Sequence, residues 1–174
     1  GLGESLKSLK RKDVVEEDWL AKWKEGFEPF RVGTKFLICP SWYLDESLID
    51  TLPPIESELS EGRFKIYIDP GMAFGTGLHA TTQFCLRAME SYPPVGKVLD
   101  VGTGSGILAI AALMLQPASE IVACDTDGVA CEYAQKDFEL NGVDGRIELI
   151  EGSTDAVAGR RFEVLLSNLT CEDT

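Results

Sequence analysis

Apolar positions follow three spacings along this chain, and each spacing predicts a different element. Up to residue 26 the period is helical. Leu2, Leu6 and Leu9 share one face, and Val15, Trp19, Leu20 and Trp23 form a second stripe after the charged break Lys10-Arg11-Lys12-Asp13. Gly26 suits a helix stop. Two short β-like runs follow, 29–32 and 35–39, with Gly33-Thr34 between them as a tight turn. Pro40-Ser41 closes the second run, and Pro53-Pro54 with the acidic stretch to Glu61-Gly62 reads as a linker. From Arg63 the character changes. Residues 64–68 read as a strand and run into a loop, 69–77, that holds Gly71, Gly75 and Gly77; residues 81–89 then read as a helix. Beyond Pro93-Pro94 the predicted order is strand 97–101, helix 107–115, strand 120–124, helix 128–140, strand 146–150 and a last strand 162–167. Strand–helix–strand alternation at this spacing indicates an α/β fold with βαβ units and a largely parallel sheet. Right-handed crossovers place the turn after its first strand at the carboxyl edge, where nucleotides bind. We therefore divide the chain into an amino-terminal helix and β linker segment, 1–62, and an α/β core, 63–174.

Composition narrows this picture. A length of 174 residues allows one ordinary domain with a small appendage. No apolar run reaches the roughly 18 residues that a membrane span needs, so no membrane partner is expected. The start has no charged head followed by an apolar stretch, and it lacks an initiator Met. We read it as the middle of a longer protein or the scar of a removed tag. Cys39, Cys85, Cys124, Cys131 and Cys171 form no C-x-x-C pair, which fits reduced, packed thiols and a cytoplasmic location. With a single histidine, His79, no His/Cys cluster exists to complete a metal site, and none is predicted. The formal net charge of −13 opposes direct nucleic-acid binding and favours a basic partner.

The chemistry concentrates in Asp100-Val101-Gly102-Thr103-Gly104-Ser105-Gly106, a glycine turn between a buried strand and the apolar helix that begins at Ile107. Glycines there let backbone pass close to a ligand, with Gly102 and Gly104 as cofactor-contact candidates. Asp125 ends the following strand about twenty residues on, where a carboxylate can accept both ribose hydroxyls of an adenosine. Nicotinamide-dependent oxidoreductases share that acid, but they use G-x-G-x-x-G and seat a pyrophosphate on the helix N-terminus. Here the third glycine comes one residue early, and Asp100 would repel a pyrophosphate. A carboxylate just before the turn suits a ligand with a positively charged end, so the pattern favours S-adenosylmethionine over a dinucleotide. Asn168, at the tip of the last strand, would face the same crevice. It reads either as a catalytic amide, orienting the cofactor or a target amine, or as a simple strand-end cap. Asp127 is expected to cap the helix that follows it, and His79 to make a structural hydrogen bond rather than act as a base.

The chain resembles the PrmA family, the ribosomal protein L-eleven methyltransferases, on three segments: the loop from Asp69-Pro70-Gly71-Met72-Ala73-Phe74-Gly75-Thr76-Gly77 to His79-Ala80-Thr81-Thr82, the turn from Leu99 through Gly106 to Ala112, and Ser167-Asn168-Leu169. Ala80 and Thr103 replace residues that are commonly Pro and Cys in the family. The resemblance implies an S-adenosylmethionine-dependent enzyme that methylates amino groups of a basic ribosomal protein. It implies a Rossmann-like class I sheet with helices on both faces, here short of its usual seven strands. Strand 162–167 would then be an apolar edge, covered by further chain or by an oligomer. Cofactor contacts would fall on Thr82, Gly102, Asp125 and Asn168, with Phe74, Gly75 and Thr76 over the methionine end. A binding module that holds the cofactor without transferring a methyl group is the alternative.

Overall fold

In a computed structural model that describes residues 27–45, 55, 61–70 and 76–169, the chain builds a small sheet first. Strands β1 (Phe30–Val32) and β2 (Phe36–Pro40) form the expected antiparallel hairpin around Gly33-Thr34. All five residues of β2 are buried, as its unbroken apolar run requires. Its second neighbour is β3 (Phe64–Ile68), paired in parallel with Ile66 opposite Ile38. The division drawn at residue 62 therefore passes between two neighbouring strands of one sheet. The helical stripes of residues 1–26 lie outside the described residues, as do Pro53-Pro54, Phe74, Gly75 and Cys171.

Helix α1 (Ala80–Ser91) starts at His79, whose Nδ1 accepts the Thr81 N–H at 3.4 Å and sits 2.8 Å from the Thr81 hydroxyl. The histidine is a helix cap, as its position before the helix suggested. Near the other end of α1, Glu90 holds the hairpin turn. Its carboxylate accepts the Lys35 N–H at 2.7 Å and the Thr34 N–H at 2.9 Å, and the Thr34 hydroxyl donates to it at 3.1 Å.

The second sheet contains β4 (Lys97–Val101), β5 (Glu120–Asp125), β6 (Ile147–Glu151) and β7 (Val164–Ser167), all parallel in the order β6-β5-β4-β7. Helix α2 (Ile107–Leu115) links β4 to β5, and α3 (Gly128–Leu140) links β5 to β6. The predicted elements of this half agree with the observed ones to within two residues at every end. Residues 107–113 of α2 are all buried, because the helix lies between the two sheets. Its sequence, apolar all round, is that of a core helix rather than an amphipathic one. Alternation along the strands splits the apolar residues into two clusters. Val98, Ile121, Ala123 and Ile147 face α1–α3 and the small sheet, whereas Leu99, Val122 and Cys124 face Val157 and Phe162. No helix among the described residues is long and apolar enough to cross a membrane.

β3 forms one border of the small sheet, and side chains of the α3 end meet its backbone there. Asn141 accepts the Tyr67 N–H at 2.9 Å and donates to the Tyr67 carbonyl at 2.6 Å, while Asp137 accepts the Asp69 N–H at 2.8 Å. An i, i+4 pair on a helix thus supplies the hydrogen bonds that a further strand would otherwise give.

Glu90→Ala removes the single side chain that satisfies both backbone donors of the hairpin turn. We expect it to lower unfolding free energy by about 1–2 kcal/mol, the scale for hydrogen bonds to a charged group in a half-buried place. Urea denaturation of the two proteins measures the difference.

Candidate functional site

The strand order creates a crevice. From β4 the chain moves through β5 and β6 to one side, then returns with β7 on the other side of β4. Ligands of open α/β sheets bind at such a reversal, outside the carboxyl ends of the strands. The glycine turn after β4 and Asn168 after β7 both lie there.

Within the turn, Gly102, Gly104 and Gly106 have φ of 67°, 56° and 77°, the left-handed region that favours glycine. The Gly102 and Thr103 N–H groups both donate to the Cys124 carbonyl at the end of β5, at 2.9 and 3.0 Å. The Gly106 N–H closes the turn on the Thr103 carbonyl at 2.8 Å. Gly106 also lies against the Phe138 ring of α3, so closely that a Cβ there would collide with it. Strand, turn and two helices are packed through this one position.

Asp125 joins the turn to the start of α3. One oxygen accepts the Gly104 N–H at 2.9 Å and the other the Asp127 N–H at 3.0 Å. Asp127 in turn caps α3 through the Val129 N–H at 2.9 Å, as expected of it. Asp100 is placed differently. It is 1% exposed, beneath the turn, with its Oδ2 accepting the Thr103 hydroxyl at 2.7 Å and a further hydrogen bond from the Ala109 backbone. Burial pushes its carboxyl up to about 6, against the pull of those two hydrogen bonds, with a smaller push from the charge of Asp125.

On the far side of the crevice the Asn168 amide donates to the Thr82 hydroxyl at 3.0 Å, joining two predicted site residues that stand far apart in sequence. Thr82 is buried in the first turn of α1. Leu169, next to Asn168, lies against the Gly102 α-carbon. Thr76 is half-buried just upstream of α1. The structure thus brings Gly102, Gly104, Asp125, Asn168 and Thr82 around one crevice with Asp100 under its floor, while Phe74 and Gly75 fall outside the described residues. Sequence reasoning missed Thr103 and Leu169. The spacing Asp100-x-x-Thr103 hinted at the first; nothing local marked the second.

A separate groove of about 720 Å³ opens at the opposite, amino-terminal edge of the sheet. Four of its charged side chains form two ion pairs, Lys97 with Glu120 at 3.2 Å and Arg160 with Glu148 at 2.7 Å, and Arg146 donates to the Pro117 carbonyl. It is remote from the glycine turn.

Comparison with known proteins gives a consistent result. Residues 2–172 match the family model described as ribosomal protein L11 methyltransferase (PrmA). The chain is 39% identical over 166 residues to the ribosomal protein L11 methyltransferase of Pelotomaculum thermopropionicum, covering 95% of this chain and 50% of that protein. It is 43% identical over 157 residues to the protein of that name from Symbiobacterium thermophilum, covering 90% and 47%. Among solved structures, the ribosomal protein L11 methylase of Lactobacillus delbrueckii subsp. bulgaricus superposes with a TM-score of 0.66 at 30% identity, covering 84% of this chain and 68% of that one. The chain spans about half the length of the curated relatives it matches.

Gly106→Ala is expected to destabilise the fold by about 2–4 kcal/mol. It combines a left-handed conformation that costs an L-residue about 1–2 kcal/mol with overpacking against Phe138. Denaturant unfolding checks this, and a cost of no more than about 1–2 kcal/mol, that of the left-handed conformation alone, would mean that Phe138 yields without strain.

Proposed function

Because the chain belongs to the ribosomal protein L11 methyltransferase (PrmA) family, we propose that it forms the S-adenosylmethionine-binding part of a protein N-methyltransferase, with the cofactor in the crevice above the 102–106 turn. The observation that carries this reading is Asp125, held by the Gly104 and Asp127 N–H groups at the lip of that crevice. A carboxylate has about four acceptor positions. With one backbone donor on each oxygen, Asp125 retains one acceptor position per oxygen for the two ribose hydroxyls of an adenosine.

The residues present fit this cofactor better than a dinucleotide. Asp100 lies under the turn, where its ionised form would repel a pyrophosphate and be favoured by a positively charged ligand end. Its bonds to Thr103 and Ala109 also hold the turn in place, and Gly102 and Gly104, which have no side chains, leave its backbone open to close approach. When bound, S-adenosylmethionine supplies a methyl group already activated on a sulfonium. The chain's own task is then alignment and exclusion of water. Thr82 takes the Asn168 Nδ2, which leaves Oδ1 as the end of that amide able to accept a hydrogen bond from a target amine. We assign Asn168 the catalytic positioning role on that basis. The substrate class is an amine of a basic ribosomal protein in the cytoplasm, consistent with the acidity of the chain, −13 in net charge.

Calorimetric titration tests the cofactor assignment. Wild-type chain should bind S-adenosylmethionine and not the nicotinamide dinucleotide, and the opposite preference would overturn it. Asp125→Ala should weaken binding by about 1–3 kcal/mol, the worth of hydrogen bonds to a charged group. For the transfer itself, the protein at its full native length is incubated with tritiated cofactor and ribosomal proteins. Cofactor binding without label in a ribosomal protein would leave a binding module only.

A further inference from the structure

Thr103 makes three hydrogen bonds, and its side chain is needed for one of them. The backbone N–H donates to the Cys124 carbonyl of β5 at 3.0 Å, and the backbone carbonyl accepts the Gly106 N–H at 2.8 Å. Neither bond depends on which side chain stands at this position. The hydroxyl, buried with the rest of the residue, donates to Asp100 Oδ2 at 2.7 Å. Asp100 is enclosed beneath the turn, and it also has the hydrogen bond at the Ala109 backbone of α2. A buried carboxyl is thus met by one hydroxyl that belongs to the cofactor turn itself.

We propose that Thr103 is a positioning residue that acts on the cofactor through Asp100. Its hydroxyl favours the ionised form of that carboxyl beneath the turn, and cofactor affinity follows release of the Asp100 proton to solvent. This rests on the cofactor reading above, in which the ligand lies above the turn with a positively charged end. A hydroxyl donates more strongly to a carboxylate than to a neutral carboxyl, so its bond stabilises the charged form. A cation above the turn stabilises the same form. The ligand then completes an ionisation that the hydroxyl has already brought close.

The neighbours of Asp100 leave few other groups to decide its charge. Helix α2, bonded to it at Ala109, has no titratable side chain, and neither has β7, which sets Leu166 opposite it. Cys85 comes from α1 and Cys124 from β5, and burial pushes both thiols up, so both are neutral at and below neutral pH. Asp125, at the end of β5, opposes ionisation through its charge. Burial opposes it most, and among the groups that favour it the Thr103 hydroxyl comes before the Ala109 backbone. The balance leaves the carboxyl at about 6, so it is mostly ionised in neutral solution with little margin. Loss of the hydroxyl would remove that margin.

The test titrates S-adenosylmethionine into the 174-residue chain by calorimetry across the pH range, with carbon NMR of the Asp100 carboxyl in the same proteins. Wild-type affinity should rise about tenfold between about pH 5 and about pH 7, as the carboxyl ionises. Thr103→Val keeps the branched shape and both backbone bonds but loses the donor. It should move the carboxyl midpoint up by about one pH unit, the worth of one hydrogen bond to a charged group. Its binding should be about fivefold weaker than wild type near pH 6 and should converge on wild type above about pH 8, the cofactor's own titration being common to both. Thr103→Ser restores the donor and should restore midpoint and affinity together. If Thr103→Val fails to fold, Thr103→Cys decides, since its weaker S–H donor should move the midpoint the same way by less. An unmoved midpoint, a loss of affinity equal at every pH, or a wild-type affinity that does not rise as the carboxyl ionises overturns the inference while the cofactor reading stands. Wild-type chain that takes no cofactor at any pH overturns both.

Discussion

Helix α2 is buried along its first seven residues, and this constrains everything around it. A helix begins with backbone donors that lack partners inside the helix, and water normally supplies what side chains do not. Here the start is enclosed, and the residue before it, Gly106, has no side chain to offer. The protein answers from the strand: Asp100, beneath the turn, bonds to Thr103 and to the backbone at Ala109. A carboxyl group in the core is costly unless it is hydrogen-bonded. Strand, turn and helix are therefore locked together by a polar group that only this connection satisfies. Both sheets pack on that helix, so the crevice takes its shape from the same lock.

Much of this was legible in the sequence. The apolar block from Ile107 to Leu115 predicted its helix because nothing in it breaks the pattern, and the strands beside it stood out against polar, glycine-rich turns. The crevice followed from topology, since an alternating chain brings the ends of its parallel strands to one edge. What escaped were contacts across long separations. The parallel pairing of β2 with β3 has no local mark, because the residues between them carry no pattern that says which edge the chain returns to. The Asn168–Thr82 bond joins two candidates that pointed separately at the same place. Asp100 was legible as a site residue from its charge, but its burial under the turn depended on Thr103 and Ala109 being there to receive it.

The edge strand places a demand on the site. β7 is short, and Leu165 at its middle is 64% exposed. An apolar edge of this kind is a surface that another strand or chain can pair with. Asn168 stands at its tip, so the position of the amide depends on how well β7 is held. The parallel ladder to β4 and the hydrogen bond from Asn168 to Thr82 on α1 hold it, with the Glu163 carboxylate accepting the Lys97 N–H and Leu169 resting on Gly102 beside them. The bond to Thr82 reaches across the crevice, which makes α1 part of the site wall as well as part of the core.

The two acids at the crevice also explain why a site of this kind needs no acid–base dyad. The one histidine of the chain is committed as the cap of α1. Asp100 is enclosed and bonded, and Asp125 is occupied by two backbone donors. None of these groups is set to shuttle a proton. Such an arrangement suits a reaction whose leaving group is already activated, where rate comes from holding the partners in line and keeping water out. The site is built from fixed backbone, two anchored carboxyl groups and an oriented amide, and its precision is the precision of the buried helix on which they all rest.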